Sequence, residues 1–309
     1  MPILSICIPT YNRSKYLKET LNSIVSQNIF LNSDKIEIII SDNCSNDDTR
    51  SISMDYVNLF PNKVKYYRNK INIFDENFLI ALSLGNGDFL KLNNDNLIHE
   101  NDSLDKMIKL IEDNFLYKPI LLFTSGALKK NKIISSYGMN NFILDISYFS
   151  TWIGTFGIWK ENYNYLVNNN IIFCTKNLKQ TELIYKQFEF NNLYFIDDRN
   201  IFNTNNTSKR GGYDFVDVFL HQYNFILKQD YILQSIKKNT YLNEMNSLLL
   251  NHLAYSIAKY KSVKSNNSFD FTDNFKKINN FYLNKPFYLV LFYIKFFIIY
   301  SYKYLKNRL

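Results

Sequence analysis

The first part of the chain alternates between short apolar runs and segments whose apolar residues recur at helical spacing. Polar clusters rich in Asn, Asp and Ser separate the two kinds of segment. This alternation is typical of βαβ units, which build a mainly parallel sheet through right-handed crossovers. We therefore predict an α/β fold with a Rossmann-like half over residues 1–125. The predicted strands are residues 4–9, 36–40, 64–67, 88–92 and 119–123.

Two of these predicted strands end in polar side chains. The second ends at Asp42, and the fourth runs into a polar knot, which we define as Asn93 to Asn96. Ligands of open α/β sheets bind at the carboxyl edge of the strands, so these groups mark a candidate ligand site. The chain has neither a Gly-x-Gly-x-x-Gly motif after its first strand nor a Walker-type Gly-Lys-Ser/Thr, which argues against those two phosphate-binding motifs.

The net charge and the cysteine content limit the binding partners and the cellular compartment that we predict. The formal charge is +8, with the excess toward the C-terminus. Such a balance fits an anionic membrane surface, a nucleotide-bearing substrate or nucleic acid. No RNA- or DNA-binding module is recognisable, so we predict no nucleic-acid partner. Three widely spaced cysteines argue against a disulfide framework and for a reducing compartment. The N-terminus lacks a signal-peptide pattern, so we expect a cytoplasmic location.

The last segment, residues 286–309, has two contrasting faces. On a helix its lysines fall within roughly 80° of arc, opposite a bulky apolar face. This pattern predicts an amphipathic helix that lies in an anionic membrane interface. The apolar run is too short and too interrupted by charge to predict a membrane-spanning helix. The alternative is a helix packed on the protein body or on a second subunit. The lysines are Lys285, Lys295, Lys303 and Lys306, and the apolar residues are Phe287, Val290, Leu291, Ile294, Phe297 and Ile298.

Three N-terminal motifs together resemble the family-2 glycosyltransferases of the GT-A fold, especially the abequosyltransferase-like members that build O-antigens and capsules. The motifs are Ser5 to Arg13, Glu37 to Thr49, and Arg68-Asn69 with Asn72 and Asn77. The resemblance is good over residues 3–125 and weaker through 211–219. It implies a GT-A domain at residues 1–212, with a nucleotide-sugar half at 1–125 and an acceptor half at 126–212. Residues 213–309 would form a helical C-terminal region.

The resemblance implies that the protein binds a nucleotide-diphosphate sugar. The end of the first strand would line the base and ribose pocket, and the carboxylate ending the second strand would contact the base. Asn77, in the third motif, is assigned to the same pocket. Without the resemblance, the residue types favour a helix cap for Asn12 and a turn carboxylate for Asp42. The residues assigned to the first-strand end are Pro9, Thr10, Tyr11 and Asn12.

The polar knot stands where the family carries an Asp-x-Asp motif that holds ribose and a divalent cation. Here Asn94 and Asn96 flank the remaining carboxylate, Asp95. Mg²⁺ and Mn²⁺ favour hard, usually charged oxygen ligands. A cation on Asp95 and Asn96 is therefore possible but weakened, while Asn94 and Asp95 still suit donor binding. The alternative is a plain Asn-rich turn.

The resemblance also implies an inverting transfer, in which a general base deprotonates the acceptor hydroxyl. Glu182 is the first candidate for the base, Asp197 and Asp145 are the next, and Asp95 is expected to be essential for catalysis. Arg210, beside Lys209 in a glycine-containing loop, would partly replace the metal, unless this is only an exposed basic turn. Three aromatic side chains, Trp152, Phe156 and Trp159, would either stack on acceptor sugar rings or lie in the core.

These observations favour a glycosyltransferase for hexosyl or deoxyhexosyl groups at the inner face of the cell membrane. It would be peripherally associated there and would act on a lipid-linked oligosaccharide acceptor. Two alternatives stay open. The protein is a catalytically inactive relative that binds nucleotide sugar or glycan or scaffolds glycan assembly, which the Asn substitutions favour, or it is another nucleotide-sugar enzyme such as a phosphosugar transferase.

Overall fold

A computed structural model describes residues 1–169, 173–204, 210–229, 232, 234–262 and 267–306 of the chain. The chain divides into two compact units. The first comprises Met1–Gly138 with Phe149–Asn206, and the second comprises Met139–Tyr148 with Thr207–Leu309. The predicted division into donor, acceptor and tail segments at residues 125 and 212 concerns substrate roles, and it stays a prediction.

The strands and helices follow the chain in alternation over its first half. The strands are β1 Leu4–Thr10, β2 Ile36–Asp42, β3 Val64–Arg68, β4 Phe89–Leu92, β5 Leu97–His99, β6 Ile120–Phe123, β7 Ile133–Tyr137, β8 Gly157–Trp159, β9 Leu193–Asp197, β10 Phe202–Thr204, β11 Arg210–Asp214 and β12 Asn267–Asp270. The α-helices are α1 Ser14–Val25, α2 Asn28–Asn32, α3 Thr49–Leu59, α4 Glu76–Ser83, α5 Ser103–Asp113, α6 Met139–Ile146, α7 Lys160–Asn168, α8 Lys179–Lys186, α9 Tyr223–Leu227, α10 Lys238–Ser247, α11 Ala254–Ser262, α12 Asn274–Phe281 and α13 Pro286–Lys306.

A five-stranded sheet organises the first unit, in the order β3-β2-β1-β4-β8. Its first four strands are parallel, and β8 is antiparallel to β4. Every residue of β1, β2 and β4 is buried, because helices cover both faces of such a sheet and leave no polar side to the strand. The predicted α/β class and mainly parallel sheet are confirmed.

The fifth predicted strand lies elsewhere. β6 belongs to a three-stranded sheet of order β6-β9-β7, in which β6 and β9 are parallel and β7 is antiparallel. The prediction that residues 119–123 complete the first Rossmann-like half is therefore wrong. The run is apolar enough for either sheet, and its pairing with β9, about 70 residues further along the chain, is invisible to local pattern.

Aromatic packing joins the five-stranded and three-stranded sheets of the first unit. The Phe89 ring packs edge-on against Phe123 at 6.3 Å and Trp159 at 5.2 Å between centroids. Gly157 lies directly over Phe89, and a Cβ there would come within 2.6 Å of two ring atoms, so no larger residue fits. Trp159 is buried and donates its indole N–H to the carbonyl of Pro119. Trp159 and the equally buried Phe156 are core residues rather than sugar-stacking platforms.

The second unit is mainly helical, as predicted for the chain beyond residue 213, with one exception. β12 pairs in parallel with β11, so the expectation of a wholly helical C-terminal region is wrong at residues 267–270. Two helical turns, Asp217–Gln222 and Leu248–Leu253, are π-helical. α13 packs against α11, and its Phe292 and Phe296 are buried.

Candidate active site

The ends of β1 and β4 meet at the carboxyl edge of the five-stranded sheet. The backbone N–H of Asn93, immediately after β4, donates to the carbonyl of Cys7 in β1. The Thr10 hydroxyl, at the end of β1, donates to Asp95 Oδ2 at 2.9 Å. Asp95 is buried, with 4% of its surface exposed. Two predicted site residues that lie 85 positions apart in the sequence therefore share a hydrogen bond.

Arg13 forms an ion pair with the same carboxylate, and the sequence analysis gave it no role. Its Nε lies 3.3 Å from Asp95 Oδ1, and its guanidinium lies over the Tyr16 ring at 5.3 Å. Burial raises the pKa of Asp95, while the Arg13 charge and the Thr10 hydrogen bond oppose that rise. Arg13 ends the first sequence motif, so its position next to the predicted pocket residue Asn12 is the signal that could have identified it.

Buried hydrogen bonds hold the polar knot in place. His99 Nε2 lies 3.0 Å from Asn93 Oδ1, and Nδ1 of the same ring lies 3.1 Å from the Ser103 hydroxyl. Burial lowers the pKa of His99 to about 3, so the ring is neutral. Asn94 Oδ1 is buried without a hydrogen-bond partner, and Asn96 is buried at 6% exposure. The knot is thus a buried, ordered turn rather than an exposed one.

The knot supplies few ligands for a divalent cation. Within the described ranges, no group of three or more His, Cys, Asp or Glu side chains is placed to hold a metal ion. The two candidate ligands, Asp95 and Asn96, provide one carboxylate, and that carboxylate faces the Arg13 guanidinium. Because Mg²⁺ and Mn²⁺ favour several hard and mostly charged oxygens, this donor set does not fit a tightly held ion.

Asn12 links two loops at this edge instead of capping a helix. Its backbone has a left-handed φ of 52°, a conformation that Asn tolerates. Its Oδ1 accepts from the Asn46 N–H at 2.7 Å, and its own N–H donates to the Ser45 hydroxyl at 2.8 Å. Tyr11, beside it, is 41% exposed, so its ring is available to stack on a base. The alternative assignment of Asn12 as a helix cap is wrong, because the first N–H of α1 donates to Asp47 instead.

Asp42 is fully buried at the end of β2 and organises its neighbours. It accepts hydrogen bonds from the Ser45 N–H at 2.8 Å and the Tyr66 hydroxyl at 2.7 Å, and Arg68 Nε lies 3.4 Å away. Burial and the bond to Asp42 raise the pKa of Tyr66. Contact between Asp42 and a nucleotide base stays a prediction. In the structure, Asp42 holds Arg68 and Tyr66 beside the end of β2.

Asn77 and Pro9 are framework residues in the structure. Asn77 Oδ1 accepts from the Ser41 hydroxyl at 2.7 Å and from Asn69 Nδ2 at 2.8 Å, and Asn77 Nδ2 donates to the Ser41 carbonyl. This ties the end of β2 to α4. Pro9 lies buried within β1 opposite Ser41. Their roles toward a donor remain predictions.

Glu182, the predicted base, lies in the first turn of α8 and is 6% exposed. Its carboxylate accepts from the N–H groups of Cys174 and Thr175 and, at 2.5 Å, from the Thr175 hydroxyl. These bonds order the segment before α8. A base role would require an acceptor hydroxyl to share this carboxylate with them, and it stays a prediction.

Asp75, which was not predicted as a site residue, has a carboxyl group that interacts electrostatically with Glu182. Asp75 precedes α4, and its Oδ2 is buried without a hydrogen-bond partner. Burial raises the pKa of Asp75 to about 6, Lys179 opposes the rise, and the charges of Glu76 and Glu182 add to it. Lys179, the first residue of α8, forms an ion pair with Glu76. Asp75 lies between two asparagines of the third motif, which is the signal that could have found it.

Replacing Asp75 by Asn is expected to stabilise the protein at pH 8 but not at pH 4. The folded protein holds the proton of this carboxyl up to a pKa of about 6, against an ordinary value of 3.8, so stability falls as pH rises between them. Since Asp75 is only partly buried, we expect a gain of a few degrees in melting temperature. Thermal unfolding from pH 4 to 8 measures it, with exposed Asp55→Asn as control. An unchanged pH dependence would contradict the assignment.

The other predicted residues lie in different surroundings. Asp197 ends β9, and both of its oxygens are bonded to Arg199, at 2.8 Å and 2.6 Å. Asp145 lies on α6 in the second unit. Arg210 begins β11, also in the second unit, and Lys209 lies outside the described residues. Participation of these groups in the site stays a prediction.

The C-terminal helix α13 exposes one apolar face. We call Phe287, Val290, Ile294, Phe297 and Ile298 the exposed tail face, and each is 52–67% exposed. The lysine side lies along the second unit, where Lys295 donates to Asn251 at 2.8 Å and Lys303 lies over the Tyr255 ring. By length and composition alone, α13 is the one helix of the described ranges that could cross a membrane.

The sheet and its polar carboxyl edge define an α/β protein with a candidate ligand site at the ends of β1 and β4. Residues 5–155 match the family model "Glycosyl transferase family 2". This match confirms, over these residues, the resemblance seen in the motifs.

Similar proteins include a relative found by sequence and solved structures found by fold. The chain is 49% identical over 88 residues to an abequosyltransferase of Salmonella typhimurium, covering 28% of this chain and 26% of that relative. It thus spans about a quarter of the length of this curated relative. Residues 1–349 of Staphylococcus aureus TarS, solved with UDP-GlcNAc, match 100% of this chain and 92% of that chain, at TM-score 0.61 and 18% identity. A mannosyltransferase from Pyrobaculum calidifontis, solved with GDP-Man and Mn²⁺, matches 100% of this chain and 88% of its own, at TM-score 0.55 and 14% identity. These likenesses show the GT-A fold.

Proposed function

We propose that this protein is a glycosyltransferase that moves a hexosyl or deoxyhexosyl group from a nucleotide-diphosphate sugar to a hydroxyl of a surface glycan. The observation that carries the proposal is the Thr10–Asp95–Arg13 arrangement at the carboxyl edge of a family 2 domain. A carboxylate there can accept from sugar or ribose hydroxyls, and a guanidinium can donate to phosphate oxygens. A nucleotide-diphosphate sugar carries both kinds of group.

Exposed and well-ordered side chains near the ends of β1 and β2 support binding of the donor nucleotide there. Tyr11 offers an exposed ring at the end of β1, and Asp42 fixes Arg68 and Tyr66 beside it. Two proteins with this fold were solved with UDP-GlcNAc and GDP-Man, so the fold accommodates different bases.

Asp42→Asn is expected to weaken nucleoside diphosphate binding by roughly tenfold or more while the protein stays folded. The amide keeps one acceptor but loses the charge that orients Arg68. Glu37→Gln is the matched control, because Glu37 is a buried carboxylate on the same strand that pairs with Lys65 instead. Isothermal titration with UDP and GDP measures the effect. Equal affinity in wild type and Asp42→Asn would remove Asp42 from the donor pocket.

The proposed transfer is inverting. The acceptor hydroxyl gives its proton to a carboxylate, its oxygen bonds to the anomeric carbon, and the bond from that carbon to the diphosphate oxygen breaks. Glu182 is the first candidate for the base. Asp75 is the second, because an oxygen without a partner and a pKa of about 6 suit proton uptake near neutral pH. No step is assigned to a metal ion, since the knot does not fit one.

The acceptor is proposed to be a lipid-linked oligosaccharide at the inner face of the membrane. The exposed tail face supports this, because an apolar helix face of this size favours burial in a lipid interface. α13 packs along α11, and its Phe292 and Phe296 are buried against Phe275 of α12, which favours a helix lying in the interface over one that crosses it. Lys295 and Lys303 already contact the protein, so we expect the apolar side chains to contribute more than the lysines to membrane binding.

The test of the proposed function is a donor panel. Purified protein is incubated with UDP-, GDP-, CDP- and dTDP-sugars, with and without a lipid-linked acceptor extract, and both free nucleoside diphosphate and glycosylated product are measured. Transfer from one donor class supports the proposal. Asn94 and Asn96 favour one alternative, a catalytically inactive relative, and tight donor binding without release of nucleoside diphosphate under any condition would establish it instead.

A further inference from the structure

We infer that Arg13 binds the diphosphate of the donor and supplies there the positive charge that a divalent cation would otherwise provide. This inference rests on the proposed function and deepens it. It assigns diphosphate binding to a residue at the end of the first motif, rather than to Arg210 in the second unit. Three independent features of the carboxyl edge support it.

The first feature is a set of buried donor groups without partners. Arg13 Nε and Nη2 are both buried, and neither makes a hydrogen bond in the structure. The 3.3 Å approach of Nε to Asp95 is an ion pair without hydrogen-bond geometry. A buried N–H without an acceptor costs free energy, so such groups in a candidate site indicate that a ligand supplies the acceptor. Phosphate oxygens are the acceptors that a guanidinium fork matches best.

The second feature is a buried acceptor of the complementary kind. Asn94 Oδ1, on the residue that precedes Asp95, is also buried without a partner. It requires a donor such as a ribose or sugar hydroxyl. One ligand that brings hydroxyl donors and phosphate acceptors together satisfies both Asn94 and Arg13. A bare metal ion would satisfy the amide oxygen only and would leave the Arg13 N–H groups unpaired.

The third feature is electrostatic. A divalent ion bound to Asp95 would lie beside the Arg13 guanidinium, and two like charges at such a distance repel strongly in a partly buried site. Tyr16, over which the guanidinium lies, helps to hold that cation in place. The fixed guanidinium therefore disfavours a cation at this position, and its N–H groups without partners suit an anion. In the reaction, the charge that develops on the departing diphosphate would be stabilised by a cation already fixed in the protein.

The inference is tested by binding, which does not depend on catalysis. UDP and GDP are titrated into wild type, Arg13→Gln, Arg13→Lys and Arg50→Gln in EDTA, and again in Mg²⁺. Uridine and guanosine are titrated in parallel. Arg50→Gln removes the same charge from an exposed position on α3 and serves as the matched control. Thermal unfolding of each variant establishes that it is folded.

Wild type is expected to bind a nucleoside diphosphate in EDTA about as well as in Mg²⁺. Arg13→Gln should weaken that binding roughly 10- to 100-fold and leave nucleoside binding nearly unchanged, with Arg13→Lys in between and Arg50→Gln like wild type. Wild-type affinity in Arg13→Gln, or wild-type binding that requires Mg²⁺, would overturn the inference and leave the proposed function standing. Absence of nucleoside diphosphate binding to folded wild type in both buffers would overturn the proposed function itself.

Discussion

Asp95→Ala is expected to lower the rate of sugar transfer by about 10²- to 10³-fold, because Arg13 would lose its orientation toward the departing diphosphate, and loss of one fixed donor to a developing negative charge costs about that much. Asp95 is the carboxylate on which the ends of β1, β4 and the start of α1 converge, through Thr10 and Arg13. Its loss leaves the Thr10 hydroxyl and the Arg13 guanidinium without a common partner. Both the donor hydroxyl contacts and the orientation of Arg13 should fail together.

The measurement is product formation with the donor found in the panel, at saturating donor so that the loss of rate is separated from the loss of affinity. Asp95→Asn keeps the shape and an acceptor for Thr10, and it should retain more donor binding than Asp95→Ala. Both variants remove the ion-pair partner of Arg13, so thermal unfolding of each establishes that it is folded before rates are compared. Asp102→Ala, which removes an exposed carboxylate paired with Lys106, is the control. Near wild-type transfer by a folded Asp95→Ala protein would exclude this edge as the reaction site.

Substituting the exposed tail face is expected to release the protein from membranes. Phe287, Val290, Ile294, Phe297 and Ile298 would each be changed to Ser, and Phe292 and Phe296 would be kept so that α13 still packs on α11. Full burial of one such side chain contributes about 1.5–3 kcal/mol, so partial burial of five exceeds what lysines near the surface add at about 1 kcal/mol each. Co-sedimentation with anionic vesicles should fall to background.

The five substitutions distinguish a membrane-binding face from a helix that only packs on the protein, and they do so better than deletion of residues 286–309. Deletion is expected to release the protein as well, but it also uncovers the surface that Phe292 and Phe296 bury. A control for the loss of exposed apolar area is Leu116→Ser with Tyr117→Ser, two exposed residues of the first unit. Raising salt should weaken wild-type binding only partly, because Lys295 and Lys303 already contact the protein. Undiminished sedimentation of the five-residue variant would show that α13 does not bind the membrane.

Local pattern identified the elements that carry the candidate site. β1, β2 and β4 are uninterrupted apolar runs, and strands buried on both faces look like this in any sequence. Polar residues after such runs must lie at the carboxyl edge of a parallel sheet, which placed Thr10, Asp42 and Asp95 before any contact was known. The apolar face of α13 was predicted in the same way, from helical periodicity alone.

Which groups meet at these positions depends on long-range packing. Pairing of β6 with β9 and the burial of Trp159 depend on contacts between distant segments, for which a local run carries no information. Arg13 and Asp75 acquire their significance from burial, a missing partner and a neighbouring charge, and none of these is a property of the residue type. Glu182 shows the same limit, because its bonds to Cys174 and Thr175 arise from the path of the chain before α8. Sequence fixes which side chains reach the edge of a sheet, whereas long-range packing sets their partners and hence their charge and chemistry.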